Sequence, residues 1–186
     1  DIAGASAIVK ANNVLLADDN TFATPYLQTP LDLGADIVMH SVTKYLGGHS
    51  DVVMGALVVK DDKLAEKLYF LQNSCGATPG PQDSFLVLRG IKTLHIRIQR
   101  HCENGRKIAE YLKTNPKVDK VYWPGFPDHP NHDIAKKQMR DFGGMISIVL
   151  KGADKEETFR IASSFSVFSL AESLGGVESL INHPVT

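Results

Sequence analysis

Three short apolar runs are the feature that most limits what this chain can fold into. They stand at residues 13–18, 36–40 and 55–60 and read NVLLAD, DIVMH and GALVVK. A short run that is apolar almost throughout, without polar alternation, is typical of a strand buried on both faces of a sheet. Turn-rich and helix-like segments separate the runs. The pattern therefore predicts an α/β fold built around buried strands.

Two longer segments carry apolar residues at helical spacing. The first begins at a cap formed by Asp61 or Asp62, and its apolar stripe is Leu64, Leu68, Leu71 and Cys75. The second covers residues 83–115, and its stripe is Leu94, Ile98, Cys102, Ala109 and Leu112. Gly90 interrupts this second segment, which indicates a kink or a join between two helices.

The character of the chain changes after Pro116. Strand-like segments at residues 120–123, 145–150 and 167–171 alternate with short helical segments, one of which opens at the capping-box sequence DKEE. This is the pattern of a smaller α+β unit. We therefore divide the chain into residues 1–92, which hold the buried strands, and residues 93–186, which begin with the long helix.

Composition limits the classes of partner. The chain has 186 residues, 43% of them hydrophobic and 22% charged, with a net charge of −1. This balance argues against nucleic-acid binding or binding to an anionic membrane, and no apolar run approaches the ~20 residues that span a bilayer. The chain opens without an initiator Met or a secretory signal, so residue 1 is not expected to be a natural N-terminus. Cys75 and Cys102 lie in helical patterns and are predicted to be buried thiols in a reducing cytoplasm.

Polar residues at the ends of two runs indicate a ligand site. Asp19 and Lys44 each stand at or just beyond a buried strand. If these strands are parallel neighbours, both residues lie at one edge of the sheet, where open α/β sheets bind ligands. Pyridoxal phosphate (PLP) requires an amine for imine formation, an acid for the pyridine nitrogen and donors for the phosphate. Lys44 offers the amine and Asp19 the acid, while Ser41 and Thr43, on one side of an extended segment, offer hydroxyls.

Each of these residues also has an ordinary structural interpretation. An aspartate at a strand end commonly forms a turn, and a lysine after a strand is commonly solvated. A phosphate-binding P-loop fits poorly, because that motif places Gly before the Lys and Ser or Thr after it. Here Thr43 precedes Lys44 and Tyr45 follows it. The residue pattern alone therefore leaves PLP as one candidate among several.

A resemblance over essentially the whole chain narrows the choice. In order and spacing, the sequence resembles the trans-sulfuration, or Cys/Met-metabolism, family of PLP-dependent enzymes. The segments that carry the resemblance are "DNTFATPYLQTPLDLGADIVMHSVTKYLGGHSDVVMGALV", "LQNSCGATPGPQDSFLVLRGIKTLHIRIQRH", "HPNHDIAKKQM", "FGGMISI" and "LAESLGGVESLINHP". It implies PLP fold type I, the aspartate aminotransferase fold. In that fold a mostly parallel α/β domain, represented here by residues 1–92, precedes a smaller α+β domain. Family members are about twice as long, so the chain is expected to be a fragment of such an enzyme.

The resemblance also implies roles in cofactor binding. Lys44 would be the catalytic residue, linked to the cofactor and then shuttling protons. Asp19 would hold the ring nitrogen protonated, and Asp18 has the weaker claim to that role. Ser41 and Thr43 would bind the phosphate. No metal is expected.

The substrate region and the activity are likewise implied by resemblance. Ser173 and Leu174 would line the substrate carboxylate region, and Glu172 would face the distal part of the substrate and favour cystathionine over methionine. The implied activity is γ-elimination or γ-replacement on a sulfur amino acid, as in cystathionine γ-lyase or γ-synthase. Methionine γ-lyase, cystathionine β-lyase, an aminotransferase and a truncated assembly subunit stay open. The expected assembly is a homotetramer built as a dimer of dimers.

Overall fold

The computed structural model describes residues 1–184, and its first part is built on a three-stranded sheet. Strands β1 (Ala17–Asp19), β2 (Ile37–Ser41) and β3 (Gly55–Val59) lie in that order. β1 pairs with β2 in parallel, whereas β2 pairs with β3 antiparallel. The second and third apolar runs therefore form strands as predicted, but the predicted burial holds only for β2, because no residue of β1 or β3 is buried and Leu57 and Val58 of β3 are 53% and 44% exposed. The first run was placed too early, because Val14 and Leu15 are exposed and lie outside the strand, which begins only at Ala17.

Helices flank this sheet. Helix α1 (Ile2–Ala11) is capped by the Asp1 side chain, which accepts from the N–H of Gly4. The short helix α2 (Thr24–Leu27) and a 3₁₀ turn (Pro30–Leu33) lead from β1 to β2. Ala35 and Val38 pack with Ile2, so α1 covers one face of the sheet.

Helix α3 (Asp62–Cys75) follows β3. Its N-cap is Asp61, whose carboxylate accepts from the N–H of Leu64 at 2.7 Å, and Gly76 ends it in a left-handed conformation. The predicted stripe is only partly covered, since Leu64 and Leu68 are half-buried whereas Leu71 is 52% exposed and no residue of the helix is fully buried. The prediction that Cys75 is a buried thiol is wrong, because its face of the helix has no covering element within the described part of the chain.

Two helices replace the long helical segment. Helix α4 (Pro81–Ile91) and helix α5 (Leu94–Thr114) meet just after Gly90, which confirms the predicted join. The stripe of α5 is buried at Leu94, Ile98, Cys102 and Ala109. Leu94, Ile98 and Cys102 pack in one cluster with Val42, Tyr45 and Leu46 from the segment after β2. Helix α5 therefore forms the surface on which that segment rests.

The second part of the chain has two small sheets. Strands β4 (Val118–Tyr122) and β5 (Ser147–Leu150) pair antiparallel, and β6 (Ser169–Leu170) pairs in parallel with β7 (Leu180–Ile181), a strand that the sequence did not predict. Helix α6 (His132–Gln138) and helix α7 (Lys155–Ala162) complete this part. Trp123 and Phe126 pack against α5 at Ala109. We call the cluster of Leu94, Ile98 and Cys102 with Val42, Tyr45 and Leu46 the α5 cluster. Because α5 packs against both parts of the chain, the division after residue 92 stays a prediction.

None of the helices within residues 1–184 combines the length and the apolar character that crossing a membrane requires.

Candidate active site

The carboxyl ends of β1 and β2 lie at one edge of the sheet. The register pairs Asp19 of β1 with Met39 of β2, and Ser41 follows two residues later at the end of the same strand. Since side chains alternate along a strand, Asp19 and Ser41 project from the same face. The structure thus brings together the predicted acid and one predicted phosphate ligand, at the edge where the sequence placed them.

Thr21 links these two residues. The Oδ1 atom of Asp19 accepts hydrogen bonds from the N–H of Thr21 at 3.0 Å and from its hydroxyl at 2.6 Å. The same hydroxyl accepts from the N–H of Ser41 at 2.8 Å. Thr21 was not predicted from the sequence as a site residue, although an Asp followed two residues later by Thr is a common local turn pattern. Its bonds fix one oxygen of Asp19 and leave the Oδ2 atom for another donor.

Asp18 occupies a different environment. It pairs with Val38 and so lies on the opposite face of the sheet, which also holds His40. Its Oδ2 atom is buried without a hydrogen-bond partner among the described residues. Burial, followed by repulsion from Asp19, raises the pKa of Asp18 above its usual value. Burial also lowers the pKa of His40, whose Nδ1 atom is unpaired within the same part of the structure. Of the two adjacent aspartates, Asp19 is therefore the one aimed at the sheet edge used by ligands.

The segment after β2 is a tight turn rather than a continued strand. Bonds within this turn run from the N–H of Gly47 to the oxygen of Val42 and from the N–H of Gly48 to the oxygen of Lys44, both at 2.8 Å. The prediction that Ser41 and Thr43 share one side of an extended segment is thus wrong. The strand ends at Ser41 because the chain must turn to pair with β3.

The two hydroxyls near Lys44 are in different bonding states. Thr43 Oγ1 accepts from the N–H of Met54 at 3.0 Å and donates to the oxygen of the same residue at a long 3.3 Å. The Ser41 hydroxyl has no hydrogen bond within the described residues. Ser41 is therefore ready to donate to a phosphate, whereas Thr43 can do so only by releasing the weak bond to Met54.

Lys44 is brought to the segment that precedes β7. Its Nζ atom donates to the Oγ atom of Ser173 at 3.0 Å. Ser173 has a φ angle of 129°, a conformation that L residues rarely adopt. Gly175 lies so close to the Lys44–Tyr45 peptide that a Cβ there would stand 2.5 Å from the nitrogen of Tyr45. Residues 173–175 are thus packed directly on the backbone that carries Lys44.

The other predicted substrate residues flank this contact. Leu174 is half-buried and packs against the α5 cluster, which anchors the strained segment. Glu172 is exposed and makes no hydrogen bond or ion pair within residues 1–184. The structure brings Ser173 to Lys44, and the preceding residue, Glu172, has an exposed carboxylate without a partner among the described residues. Within the described residues, no group of three or more His, Cys, Asp and Glu side chains could hold a metal ion.

Comparison with known proteins places this geometry in a family. The family model for Cys/Met metabolism PLP-dependent enzymes matches residues 1–186. The chain belongs to this family. Its members depend on PLP, and the structure has the fold of PLP-dependent trans-sulfuration enzymes.

Relatives with three activities are similar to the chain. It is 58% identical to the cystathionine beta-lyase of Coxiella burnetii over 185 residues, covering 99% of this chain and 48% of the relative. It is 53% identical to the cystathionine gamma-lyase of Dictyostelium discoideum, covering 99% and 47%. A crystal structure of cystathionine gamma synthase from Xanthomonas oryzae pv. oryzae in complex with aminoacrylate and cysteine matches with a TM-score of 0.97 and 46% identity, covering 100% and 48%. The chain spans about half the length of these relatives.

The donor set at the sheet edge fits PLP. The exposed Asp19 retains a free carboxylate oxygen, which suits a protonated pyridine nitrogen. The free hydroxyl of Ser41 suits a phosphate oxygen, and the Lys44 amine is held by a neutral hydroxyl rather than by a carboxylate. Because its partner is a neutral hydroxyl, the Lys44 amine can exchange that hydrogen bond for a bond to the cofactor without breaking an ion pair.

Proposed function

We propose that the protein is a PLP-dependent trans-sulfuration enzyme that acts on cystathionine or a related sulfur amino acid by γ-elimination or γ-replacement. The observation that carries this proposal is the 3.0 Å contact between Lys44 Nζ and Ser173 Oγ at the edge that also holds Asp19. It joins the amine that the cofactor requires to the segment proposed to receive the substrate carboxylate.

Each polar side chain has a role in this proposal. Asp19 holds a proton on the ring nitrogen through its free Oδ2 atom, while Thr21 fixes the other oxygen. PLP, when bound, supplies the electron sink that makes the substrate Cα–H acidic. Lys44 would hold the cofactor through its Nζ atom and would remove and return protons at that atom. The Ser173 hydroxyl accepts from that atom and so orients it.

Ser41 and Thr43 are the proposed phosphate ligands. Ser41 donates through its unengaged hydroxyl. Thr43 keeps its bond from the Met54 N–H and exchanges the long bond to the Met54 oxygen for one to phosphate. A charge-assisted bond to a phosphate is stronger than a long neutral one, so this exchange is favourable.

Glu172 supports cystathionine as the substrate. Its carboxylate stands free beside Ser173 and Leu174, which we propose to line the substrate carboxylate region. Cystathionine carries a second ammonium group at its distal end, which a carboxylate attracts. Methionine carries only a methyl group there, which would desolvate Glu172 without offering a partner.

Cystathionine β-lyase is the second candidate. The similarity to several relatives with that name, at 57–59% identity, favours it. Both chemistries begin with the same substrate and the same proton removal by Lys44. They differ in which carbon–sulfur bond breaks. Methionine γ-lyase and a subunit that only assembles with other chains are the further outcomes that an experiment must separate.

Product analysis tests the proposal. The complete protein, loaded with PLP, is incubated with cystathionine. γ-Elimination yields cysteine, 2-oxobutyrate and ammonia, whereas β-elimination yields homocysteine, pyruvate and ammonia. Release of 2-oxobutyrate from cystathionine supports γ chemistry, and pyruvate supports the β-lyase. Activity on methionine alone contradicts the cystathionine proposal.

Borohydride reduction followed by peptide mapping should place the pyridoxyl label on Lys44, and a label on another lysine would overturn its role.

The assembly and the compartment are part of the same proposal. The complete protein is expected to be a cytoplasmic homotetramer, a dimer of dimers. Support comes from exposed apolar side chains on helix α3, where Tyr69 and Phe70 are 71% and 68% exposed. The two cysteines are free thiols, as a reducing compartment requires. Sedimentation of the active complete protein as a monomer would contradict the assembly.

A further inference from the structure

Arg97, on helix α5, makes contacts that the proposed function does not use. Its Nη1 atom donates to the oxygen of Tyr45 at 2.7 Å, and its Nη2 atom lies 3.5 Å from the oxygen of Leu46. Nη2 also donates to the oxygen of Gly90 at 2.8 Å, and Nε donates to the Thr93 hydroxyl at 3.1 Å. One guanidinium thus joins the turn after Lys44 to the junction of α4 and α5.

The turn needs such a donor. Its own N–H groups satisfy the oxygens of Val42 and Lys44, and no backbone N–H within residues 1–184 donates to the oxygens of Tyr45 and Leu46. Both residues are buried and packed on α5. A buried carbonyl without a partner costs about 1–3 kcal/mol. Arg97 removes that cost for the carbonyl of the residue directly after Lys44.

The backbone is shaped to admit the guanidinium. Gly48 has a φ angle of 73°, and a Cβ at this position would overlap the Arg97 guanidinium. At Gly90 a Cβ would collide with the oxygen of Gly47 and stand 3.1 Å from that of Leu46. Two glycines therefore allow the turn, the end of α4 and the Arg97 side chain to lie in direct contact.

The charge of Arg97 has no carboxylate partner in the described chain. The ion pairs within residues 1–184 join other residues, such as Arg100 with Glu103 on the same helix. Burial lowers the pKa of Arg97. Burying part of a cation whose partners are all neutral oxygens carries a desolvation cost that an apolar contact with the turn would avoid. Unlike an apolar contact, the planar guanidinium orients the carbonyls to which it donates, those of Tyr45 and Gly90, relative to each other.

We propose that Arg97 is a positioning residue for Lys44. Its Nη1 atom holds the carbonyl of Tyr45, which fixes the Tyr45–Leu46 peptide, one peptide beyond Lys44, and so directs the Nζ atom toward Ser173 and the cofactor. Gly175 packs against the preceding peptide, Lys44–Tyr45. The inference rests on the proposed function, since it gives Arg97 its effect through the covalent role of Lys44.

The test separates positioning from mere support of the fold. The complete protein is stripped of PLP, and PLP is then added to the wild type and to Arg97→Met, Arg97→Lys and Arg100→Met. Noncovalent binding and the first-order rate of covalent linkage are measured separately, by visible absorbance and by borohydride trapping at Lys44. Arg100 is the matched control, because it is an exposed arginine on the same helix.

A positioning role predicts that the rate of covalent linkage falls while noncovalent PLP binding is almost unchanged. Misplacing a reacting group by about 1 Å costs on the order of a hundredfold in rate, so Arg97→Met should slow linkage by about ten- to a hundredfold while noncovalent PLP binding changes little. Arg97→Lys should recover part of the rate, and Arg100→Met should behave as wild type. In a further variant, Arg97→Ala, which leaves room for a free guanidinium ion, millimolar guanidinium should accelerate linkage, whereas sodium chloride at the same ionic strength should not.

Three outcomes would overturn the inference. Wild-type linkage rates in both Arg97→Met and Arg97→Lys would show that the Arg97 guanidinium does not position Lys44. Equal losses in binding and linkage would indicate general support of the fold, and if Arg97→Met fails to fold, Arg97→Lys decides the question alone. Wild-type protein that traps no label on Lys44 would remove the proposed function itself and this inference with it.

Discussion

The Nζ atom of Lys44 lies 3.0 Å from the Oγ atom of Ser173, although 129 positions separate the two residues in the sequence. The contact depends on a strained backbone, because the φ angle of Ser173 is 129°. Residues in such conformations cost about 1–3 kcal/mol and persist where the surrounding structure enforces them. Here Leu174, packed on the α5 cluster, and Gly175, packed on the Lys44–Tyr45 peptide, provide that enforcement.

Two substitutions at Ser173 should separate the effect of its hydrogen bond with Lys44, the tether, from the effect of its strained backbone. Ser173→Ala removes the acceptor for Lys44 and keeps the strained Cβ, so turnover should fall about tenfold, the effect of one lost hydrogen bond, without a gain in stability. Ser173→Gly should lose the same turnover but raise the free energy of unfolding by up to about 1 kcal/mol. Steady-state kinetics and urea unfolding measure the two effects. Ser169→Ala, at an exposed serine of β6, is the control, and wild-type turnover in both Ser173 variants would contradict the tether.

Asp19 and Asp18 allow a matched comparison of two adjacent carboxylates. Asp19→Asn should leave the fold intact and lower turnover by several orders of magnitude, because an amide cannot hold the ring nitrogen protonated. Asp18→Asn should keep most of the turnover, since Asp18 lies on the other face of the sheet. Turnover is compared at saturating PLP, so that weakened cofactor binding is not mistaken for lost chemistry. Near-normal turnover in Asp19→Asn with an inactive Asp18→Asn would transfer the role to Asp18.

The parts of this site that the sequence predicted are those fixed by local patterns. The ends of β1 and β2 share an edge because the two strands pair in parallel, and the alternation of side chains then places Asp19 and Ser41 on one face. The join at Gly90 was visible because glycine interrupts a helical stripe. In each case the determining residues are close together in the sequence.

What the sequence did not predict depends on contacts between distant segments. The stripe of α3 shows which face is apolar but not what covers it, so Cys75 was wrongly predicted to be buried. The pairing of β6 with β7 involves only two residues in each strand, too few to give a periodic pattern. The contacts of Arg97 with the turn after Lys44 follow from the packing of α5, which no local spacing encodes.

Asp18 should make stability depend on pH. Burial and the neighbouring Asp19 raise its pKa above the usual 3.8, so the ionised carboxylate is less stable in the folded protein than in the unfolded chain. This cost is absent below pH 3.8, grows as the pH rises from there to the folded pKa, and is fully present above the folded pKa. Asp18→Val should therefore raise the free energy of unfolding at pH 7 by about 1 kcal/mol, the cost of an unpaired polar atom in a half-buried position.

Urea unfolding at several pH values measures this effect. The gain from Asp18→Val should shrink as the pH falls toward 4, because protonation removes the charge from the wild type as well. Asp32→Asn is the control, since a hydrogen bond from Lys60 lowers the pKa of Asp32 and its removal should bring no gain. A gain for Asp18→Val that is the same at every pH would show that shape rather than charge is responsible.

Glu172 should set the preference between cystathionine and methionine. Its exposed carboxylate makes no ion pair within the described residues and stands next to Ser173, the residue that contacts Lys44. The distal ammonium of cystathionine gains a partner there, whereas the methyl group of methionine leaves the carboxylate unpaired, at a cost of about 1–3 kcal/mol. Glu172→Val should therefore lower kcat/KM for cystathionine relative to methionine by about tenfold or more. Glu172→Gln, which keeps the shape and removes the charge, should move the ratio in the same direction. If neither variant changes the ratio of the two kcat/KM values, Glu172 does not select the substrate and the preference for cystathionine loses its main support.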